Sequence, residues 1–350
     1  MEGGALARAA LAAACALLVV TGCGSGDEQS GDARTTTVDT APERMLKIGL
    51  VTNVRGLNDG SFNQGNYDGL LRAERELGVE GRVLESREPA DYVRNLSSLA
   101  QQQFDLVVAV GSPMAEATDM VARKFPRTKF AIVDVPHGLL PHRPRNVRGL
   151  LFKEQEGGYL AGYLAGLVVK EQGGKQVVST VGGRETPSVE RYIAGFQAGA
   201  EAANPGVTTL NGYSQNAADP ARCKEIALSQ IEQGSQVVMQ VAGACGLGAL
   251  DAARERNVWG IGSDDDQSFL GPHILSSALK LNPISIFKTI ESVENGMFRG
   301  GENTLFDVAS GAVGLAPINP RVSNEVVAGV NQVQQELAAG QIRGIPTRPR

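Results

Sequence analysis

From Met45 onward, short apolar runs rich in β-branched residues alternate with longer amphipathic stretches. Runs such as "DLVVAVG" are apolar on both faces, as expected for parallel strands that are covered by helices on each side. The predicted strands are "LKIGLV", "GRVLES", "DLVVAVG", "KFAIVDV", "QVVSTVGG", "TTLNGYS", "QVVMQVAG", "WGIGSD" and "ILSSALK". Amphipathic helices such as "EGGYLAGYLAGLVVKEQ" and "SVERYIAGFQAGAEAAN" are predicted between most of them. The pattern therefore predicts an α/β fold.

The βα units fall into two similar sets, which predict two doubly wound α/β lobes. The first lobe is expected over 45–153 and the second over 154–279, while 280–350 holds crossover segments, which complete the first lobe, and a C-terminal helix. In open α/β sheets the ligand lies beyond the carboxyl ends of the strands. Two such lobes facing each other predict a ligand cleft.

The first 44 residues are predicted to lie outside the fold. Residues 1–22 have the apolar stretch of a signal peptide, and "VTGC" places Cys23 as the thiol of a lipobox. Residues 23–44 are polar and poor in aliphatic side chains, which is typical of a flexible tether. An ordinary secretory signal is the alternative. We expect a lipid anchor on the extracytoplasmic face of the cell membrane.

Composition limits the ligands and partners. A formal charge of -5 gives no basic footprint, so nucleic-acid binding is not expected. Three His residues and no spaced ligand set predict neither a metal site nor a cofactor. We expect a monomer. Cys223 and Cys245 are expected near the carboxyl edge of adjacent βα units, where an exported protein can keep a disulfide.

The stretch "RGLNDGSFNQGNYDGL", residues 55–70, contains an aromatic residue in an unusual place. Ser61 is a good N-cap and Gln64 completes a capping-box spacing, so a helix is predicted to begin at about Phe62. The loop before it then lies at the ligand edge of the sheet. Phe62 is predicted to stack on a ligand, and the alternative is a core residue followed by a plain turn.

Several motifs occur in an order that resembles the basic membrane protein family of lipoproteins. They are "GLNDGSFNQGNYDGL", "FKEQEGGYLAGYLAG", "VGGRETPSVERYIAGFQAG", "GIGSDDDQ" and "SSALK". The family contains substrate-binding components of ABC transporters, including purine nucleoside receptors. The resemblance implies a periplasmic-binding-protein fold of type I, permease subunits as partners and a nucleoside, preferably a purine, as ligand.

The resemblance also implies roles for individual residues. The motif matching "DGSFN" places Asp59, Phe62 and Asn63 at the ligand, with Phe62 stacking on the base. Asp264 would accept hydrogen bonds from the ribose hydroxyls, and Lys280 would donate to the sugar. Their alternatives are a turn residue for Asp264 and a strand-end lysine with a solvated head for Lys280. Asp134, which closes "KFAIVDV", is a further candidate from the same carboxyl edge.

Two positions depart from the family pattern. Asn53 stands where many relatives have an Asp, and its amide can donate as well as accept. Met239 stands where a second aromatic residue often occurs, and a thioether packs against a ring without providing a stacking plane. Gly243, in "GACGLGAL", is predicted to form a tight turn that brings backbone close to the ligand.

Two other functions remain open from the sequence. One is a ligand-sensing lipoprotein of the same fold that binds another small polar molecule. The other is a nucleoside-processing enzyme, but no clustered His or carboxylate pair is evident that would provide a general base. The sequence therefore predicts a binding protein and not an enzyme.

Overall fold

The computed structural model describes residues 44–54, 56–57 and 62–350. The predicted signal peptide, Cys23 and the rest of the predicted tether up to residue 43, Asp59 and Ser61 lie outside the described residues. The strands are β1 (Lys47–Val51), β2 (Glu80–Leu84), β3 (Leu106–Ala109), β4 (Lys129–Val133), β5 (Val147–Phe152), β6 (Val177–Gly182), β7 (Thr208–Tyr213), β8 (Ser235–Val241), β9 (Trp259–Asp264), β10 (Ile274–Lys280), β11 (Glu302–Phe306) and β12 (Val313–Leu315).

Helices cover both faces of the strands. They are α1 (Phe62–Leu77), α2 (Asp91–Gln101), α3 (Ala115–Lys124), α4 (Glu154–Gln172), α5 (Pro187–Ala203), α6 (Pro220–Glu232), α7 (Gly246–Glu255), α8 (Asn282–Glu294) and α9 (Asn324–Ala338). Helix α1 begins at Phe62, the position predicted from the capping spacing.

Two six-stranded sheets form two lobes. The first sheet has the order β11-β5-β4-β3-β1-β2 and the second β12-β10-β9-β8-β6-β7. The pairs are parallel except that β12 runs antiparallel to β10. Every residue of β3 is buried, because helices cover both faces of this central strand. The predicted α/β fold with two doubly wound lobes is confirmed.

Three strands, β5, β11 and β12, were not predicted from the sequence. Strand β5 begins "VRGL", where Arg148 and Gly149 interrupt the apolar run. Arg148 is nevertheless buried, because its guanidinium donates to the carbonyl oxygens of Arg299 and Met297. The edge strand β11 is polar and β12 has three residues, so neither carries a strand pattern.

The chain crosses between the lobes after the fifth strand of each sheet. Helix α4 follows β5 of the first sheet but packs against α5, β10 and α9 of the second lobe. Helix α8 follows β10 of the second sheet but packs against α1 of the first lobe. Strand β11 then joins the first sheet, and β12 returns to the second. The lobes are therefore linked by several crossings.

Helices α4 and α5 approach each other closely through glycines. A Cβ on Gly162 would lie 2.0 Å from the carbonyl oxygen of Phe196, and one on Gly199 would lie 2.0 Å from that of Tyr159. Only glycine fits at such backbone contacts. This packing fixes α4, and with it Glu154 at its first turn, against the second lobe.

Candidate functional site

A cleft of about 680 Å³ lies between the carboxyl edges of the two sheets. The first lobe contributes Phe62 and Asp134 to its lining. The second lobe contributes the loops that follow β6, β7 and β8, together with Asp264 and Lys280 at the ends of β9 and β10. The edge at which sequence reasoning expected a ligand is thus the edge that the cleft occupies.

Lys280 lies at the centre of a buried charge cluster. Its side chain is 4% exposed, and its Nζ donates to both carboxylate oxygens of Asp134, at 2.7 and 2.9 Å, and to Glu154 Oε1 at 3.2 Å. Burial alone would lower the pKa of Lys280, but the carboxylates of Asp134, Glu154 and Asp264 raise it above its ordinary value. Lys280 therefore stays charged and joins a first-lobe carboxylate to the end of a second-lobe strand.

Glu154 is the fully buried anion of the cluster. Its Oε2 accepts from Arg191 Nε at 2.6 Å, and its Oε1 accepts from the Ser188 hydroxyl at 2.7 Å. Burial opposes its ionisation, but Lys280 and Arg191 outweigh burial and hold the pKa of Glu154 below its usual range. A charge of this kind is tolerated inside a protein only when it is fully partnered.

Asp264 ends β9 in the left-handed backbone region, with φ at 69°, which Asp adopts more readily than most residues. Its Oδ1 accepts a hydrogen bond from the Tyr192 hydroxyl at 3.3 Å. Burial raises the pKa of Asp264 despite the opposing field of Lys280, and Asp134 adds to the rise. The carboxylate lines the cleft and would gain from a further hydrogen-bond donor.

Asp134 follows β4 in the same left-handed conformation, with φ at 63°. Its side chain is 22% exposed and carries the interlobe ion pair with Lys280. Burial raises its pKa above the ordinary value for Asp, and Lys280 opposes that rise. Three carboxylates (Asp134, Glu154 and Asp264) therefore share two cations, Lys280 and Arg191.

Phe62 presents its ring to the cleft from the first turn of α1. The Lys280 Nζ lies 5.8 Å from the centre of this ring and 4.8 Å from that of Phe152. Gly111, with φ at 104°, lies beneath the ring, and a Cβ there would be 3.2 Å from Phe62 Cε1. The turn after β3 thus leaves room for a flat aromatic surface.

Asn53 and Asn63 bind each other. The Asn63 Nδ2 donates to Asn53 Oδ1 at 3.0 Å, and the backbone N–H of Asn53 donates to Asn63 Oδ1 at 3.3 Å. Both residues are buried, and neither is among the residues that line the cleft. The pair fastens the loop after β1 to the first turn of α1, so it positions Phe62.

Met239 lies away from the cleft. It is fully buried in β8 within the hydrophobic core of the second lobe, among neighbours such as Ile261 and Val237. The lining of this segment begins two positions later, at Val241, where the strand ends. The prediction that Met239 packs against a ligand is therefore corrected: its side chain lies in the core, and the cleft lining begins only at Val241, the last residue of β8.

Gly243 lines the cleft at the start of the turn Gly243–Cys245, with φ at 58°. Cys245, at the end of that turn, forms a disulfide with Cys223 of α6, with their Cα atoms 5.6 Å apart. Because both cysteines are buried, the disulfide lies behind the cleft wall. It holds the Gly243 turn against α6.

Sequence reasoning missed Glu154, Arg191 and Tyr192 as parts of the site. Glu154 and Tyr192 lie within the motifs "FKEQEGGYLAGYLAG" and "VGGRETPSVERYIAGFQAG", which were used only to recognise a resemblance. Acidic and aromatic residues in a helix are common on solvated faces and in cores. Their role follows from the glycine contacts that bring α4 and α5 together.

The described part of the chain lacks two kinds of feature. No group of three or more His, Cys, Asp or Glu residues that could hold a metal ion occurs there. Within the same residues, no helix has both the length and the apolar composition needed to cross a membrane.

Comparisons with known proteins agree with the fold and the cleft. Residues 47–343 match the family described as ABC transporter substrate-binding protein, PnrA-like. The CD4+ T-cell-stimulating antigen of Listeria innocua is 30% identical over 99% of this chain and 98% of that protein. The ABC transporter nucleoside-binding protein BmpA of Lactococcus lactis subsp. cremoris is 28% identical over 98% of this chain and 99% of that protein.

A solved structure, an ABC transporter solute-binding protein from Aeropyrum pernix K1, has a similar fold. Its TM-score is 0.71 at 24% identity, and the match covers 86% of this chain and 94% of that chain. Two α/β lobes around a cleft define the class of type I periplasmic-binding-protein folds found in ABC solute-binding proteins. Within that class, the chain belongs to the Bmp family of PnrA-like ABC transporter substrate-binding proteins. The family consists of binding proteins rather than enzymes, and it implies a small ligand and permease partners.

Proposed function

We propose that this protein is the membrane-anchored receptor of an ABC importer and that it binds a nucleoside, preferably a purine nucleoside, in the interlobe cleft. One observation carries the ligand class: an aromatic ring, Phe62, and a half-buried carboxylate, Asp264, line the same cleft from opposite lobes. A nucleoside joins a flat base to a sugar with vicinal hydroxyls. The base could stack on the aromatic ring, and the hydroxyls could donate to the carboxylate. The printed name of the Lactococcus lactis relative supports this ligand class.

The proposed contacts follow from chemistry. Phe62 would stack on the base, an interaction of about 1 to 3 kcal/mol that tolerates different bases. Asp264 would accept hydrogen bonds from the sugar hydroxyls and so distinguish a nucleoside from a free base. Asp59, in the loop before Phe62, is proposed as a further ligand contact.

Lys280 is proposed to act at the sugar end of the same cleft. In the structure its N–H groups are directed at Asp134 and Glu154. A sugar oxygen would therefore have to exchange with one of these acceptors, and Asp134, at 22% exposed, is the more accessible of the two. We propose that ligand binding loosens the Lys280–Asp134 pair while Glu154 keeps its contact.

Two substitutions test separately how the base and the sugar of the ligand are bound. Phe62→Ala should weaken a purine nucleoside and its free base alike, whereas Asp264→Ala should weaken only the nucleoside. Loss of a charged hydrogen bond of about 1.5 to 3 kcal/mol predicts a 10- to 100-fold lower affinity. Isothermal titration calorimetry with each ligand measures both effects, and recovery of intact nucleoside afterwards tests the absence of hydrolysis.

Matched controls lie close by. Phe269→Ala removes an aromatic side chain that is 78% exposed, and Asp266→Ala removes an exposed carboxylate two residues beyond Asp264. Neither residue lines the cleft, so both variants should bind like the wild type. Wild-type protein that binds no nucleoside, or Asp264→Ala protein with unchanged affinity, would refute the ligand assignment.

The anchor is tested separately. Cys23→Ala should abolish incorporation of labelled fatty acid and move the protein from the detergent phase to the aqueous phase. This is expected because residues 24–43 contain no other long apolar segment. A wild-type protein without label would show that Cys23 is not acylated.

A further inference from the structure

The amino edge of the first sheet, opposite the cleft, carries a cluster of cations that we call the basic edge. Its seven members lie in the segments that lead into β5 and β11 and in the segment that leads into β4 with its first residue, namely Arg123, Lys124, Arg127, Lys129, Arg143, Arg145 and Arg299. All are exposed except the half-buried Lys129. None of the seven makes an ion pair with any residue that the structure describes.

A single amide joins the two main segments of the basic edge. The Asn146 Nδ2 lies 3.0, 3.0 and 2.8 Å from the carbonyl oxygens of Ala122, Phe125 and Thr128. The loops 123–129 and 141–145 are therefore held side by side. Their cations form one fixed surface, although like charges repel one another.

Helix electrostatics explains only part of the cluster. Arg123 and Lys124 occupy the last turn of α3, where cations are favourable next to exposed carbonyl groups. The other five members lie outside helices, where no dipole requires them.

The equivalent edge of the second lobe differs, because there Arg254 pairs with Asp251 and Arg256 pairs with Glu232. Lys170 and Lys175, which lie just before β6 at that edge, also make no ion pair with a described residue, so the basic edge differs in the number of its unpaired cations.

Arg44, the first described residue, lies next to the basic edge and indicates where the preceding tether joins the fold. Arg44 pairs with Asp105, and the Asp105 carbonyl oxygen accepts from the backbone N–H of Lys129 at 3.3 Å. The tether proposed for residues 23–44 therefore joins the fold beside the basic edge. A flexible chain of about 20 residues has a root-mean-square span of about 25 Å. An acylated Cys23 would keep this edge close to the lipid surface.

We propose that the basic edge docks on the anionic phospholipid headgroups of the membrane that holds the anchor. This inference rests on the proposed anchoring at Cys23 for its geometry. Each Lys or Arg held near an anionic lipid surface strengthens binding about fivefold, within a Debye length of about 8 Å at physiological salt. The amino edge of the first sheet is opposite its cleft edge, so docking leaves the cleft edge of that lobe facing away from the lipid.

The test uses the mature chain carrying Cys23→Ala, so that no acyl group contributes. Cosedimentation is measured with vesicles of phosphatidylcholine alone and of phosphatidylcholine mixed with phosphatidylglycerol. We expect binding only to the vesicles that contain phosphatidylglycerol, with loss of binding in about 1 M salt, where the Debye length falls to about 3 Å. Adding R127Q, R143Q and R145Q should weaken binding about 100-fold.

A matched control carries K170Q, K175Q and R348Q, which neutralise three exposed cations outside the basic edge. This control should bind like the parent chain. Both triple variants should keep the parent's melting temperature and nucleoside affinity, because none of the six residues lines the cleft. Equal binding to both vesicles, no binding to either, or equal loss in the two triple variants would overturn the proposal. Since no acyl chain is present, such a result is independent of whether Cys23 is an anchor.

Discussion

The two lobes have the same strand order, but equivalent positions carry different chemistry. Strands β4 and β9 occupy the same place in their sheets, and each is followed or ended by an Asp in the left-handed region, Asp134 and Asp264. Strands β5 and β10 are also equivalent, yet the first ends in Phe152 and the second in Lys280. These two strand ends meet, with the Lys280 Nζ 4.8 Å from the Phe152 ring.

This difference shows how two lobes with the same strand order can form a cleft whose two ends differ in chemistry. A second lysine in place of Phe152 would face Lys280 across the lobe interface and repel it. The aromatic ring instead offers a surface that attracts a cation. One lobe supplies the cation and both supply carboxylates, so the cleft has a charged end at Lys280 and an aromatic face at Phe62.

The largest loss of stability should come from replacing Lys280, the residue that makes the lobes unequal. Lys280→Met leaves Glu154 buried without one of its cations, so the free energy of unfolding should fall by about 3 to 5 kcal/mol at neutral pH. The loss should shrink as the pH falls below about 4.3, since protonation removes the unpaired charge. Urea denaturation across this pH range measures both effects.

Lys153→Met is the matched control, since Lys153 follows β5 and pairs with Glu156 and Asp307 while remaining 31% exposed. The Lys153 pairs are less buried than those of Lys280, so their loss should lower the free energy of unfolding by less. Equal losses in the two variants would show that burial does not distinguish the two lysines.

A smaller loss of stability is expected when the disulfide is removed from the turn after β8, which has no counterpart in the turn after the equivalent strand β3. The turn Ser112–Met114 ends in a buried Met114, whereas the turn Gly243–Cys245 ends in a cysteine bonded to Cys223. The bond spans a sequence separation of 22, and loop closure of this size contributes about 3 kcal/mol. Cys223→Ala with Cys245→Ala should lower stability by about that amount in thermal unfolding.

Reduction of the wild type should lower its melting temperature as the double variant does, and it should leave the double variant unchanged. Two free thiols in the unreduced, unfolded mature protein would show that the bond does not form.

The smallest expected change in stability is a gain and not a loss. Burial raises the pKa of Asp264, so this carboxyl binds its proton more tightly in the folded protein than in the unfolded chain. A raised pKa of this kind favours folding at low pH, and the benefit disappears as the pH rises through the folded pKa. Asp264→Asn should therefore raise the free energy of unfolding at pH 7, while nucleoside affinity falls.

The stability gain should vanish below about pH 4, where Asp264 is protonated in both states. Thermal melts at several pH values test this dependence. A variant that is less stable at pH 7 would show that the Asp264 charge contributes to folding more than its burial opposes it.

The strands with continuous apolar runs could be predicted from the sequence, as could the sheet edge at which the cleft lies and the start of α1 at Phe62. Strand β5 could not be predicted, because Arg148 interrupts its pattern and is satisfied by groups about 150 positions away. Glu154 was missed for a similar reason, since its partners Arg191 and Lys280 come from distant segments. Met239 was misplaced because periodicity does not say where a buried strand ends and its cleft loop begins.

The crossings between the lobes also determine when each lobe can be completed during synthesis. The first sheet lacks its edge strand β11 until Phe306 has been made, and the second sheet lacks its edge strand β12 until Leu315 has been made. Small domains usually fold in order as they leave the ribosome. Here the first lobe cannot finish first, because α8 and β11 are encoded after the whole second sheet except β12. A ribosome that stalls near Gln172 would hold a chain whose β5 edge is still unpaired.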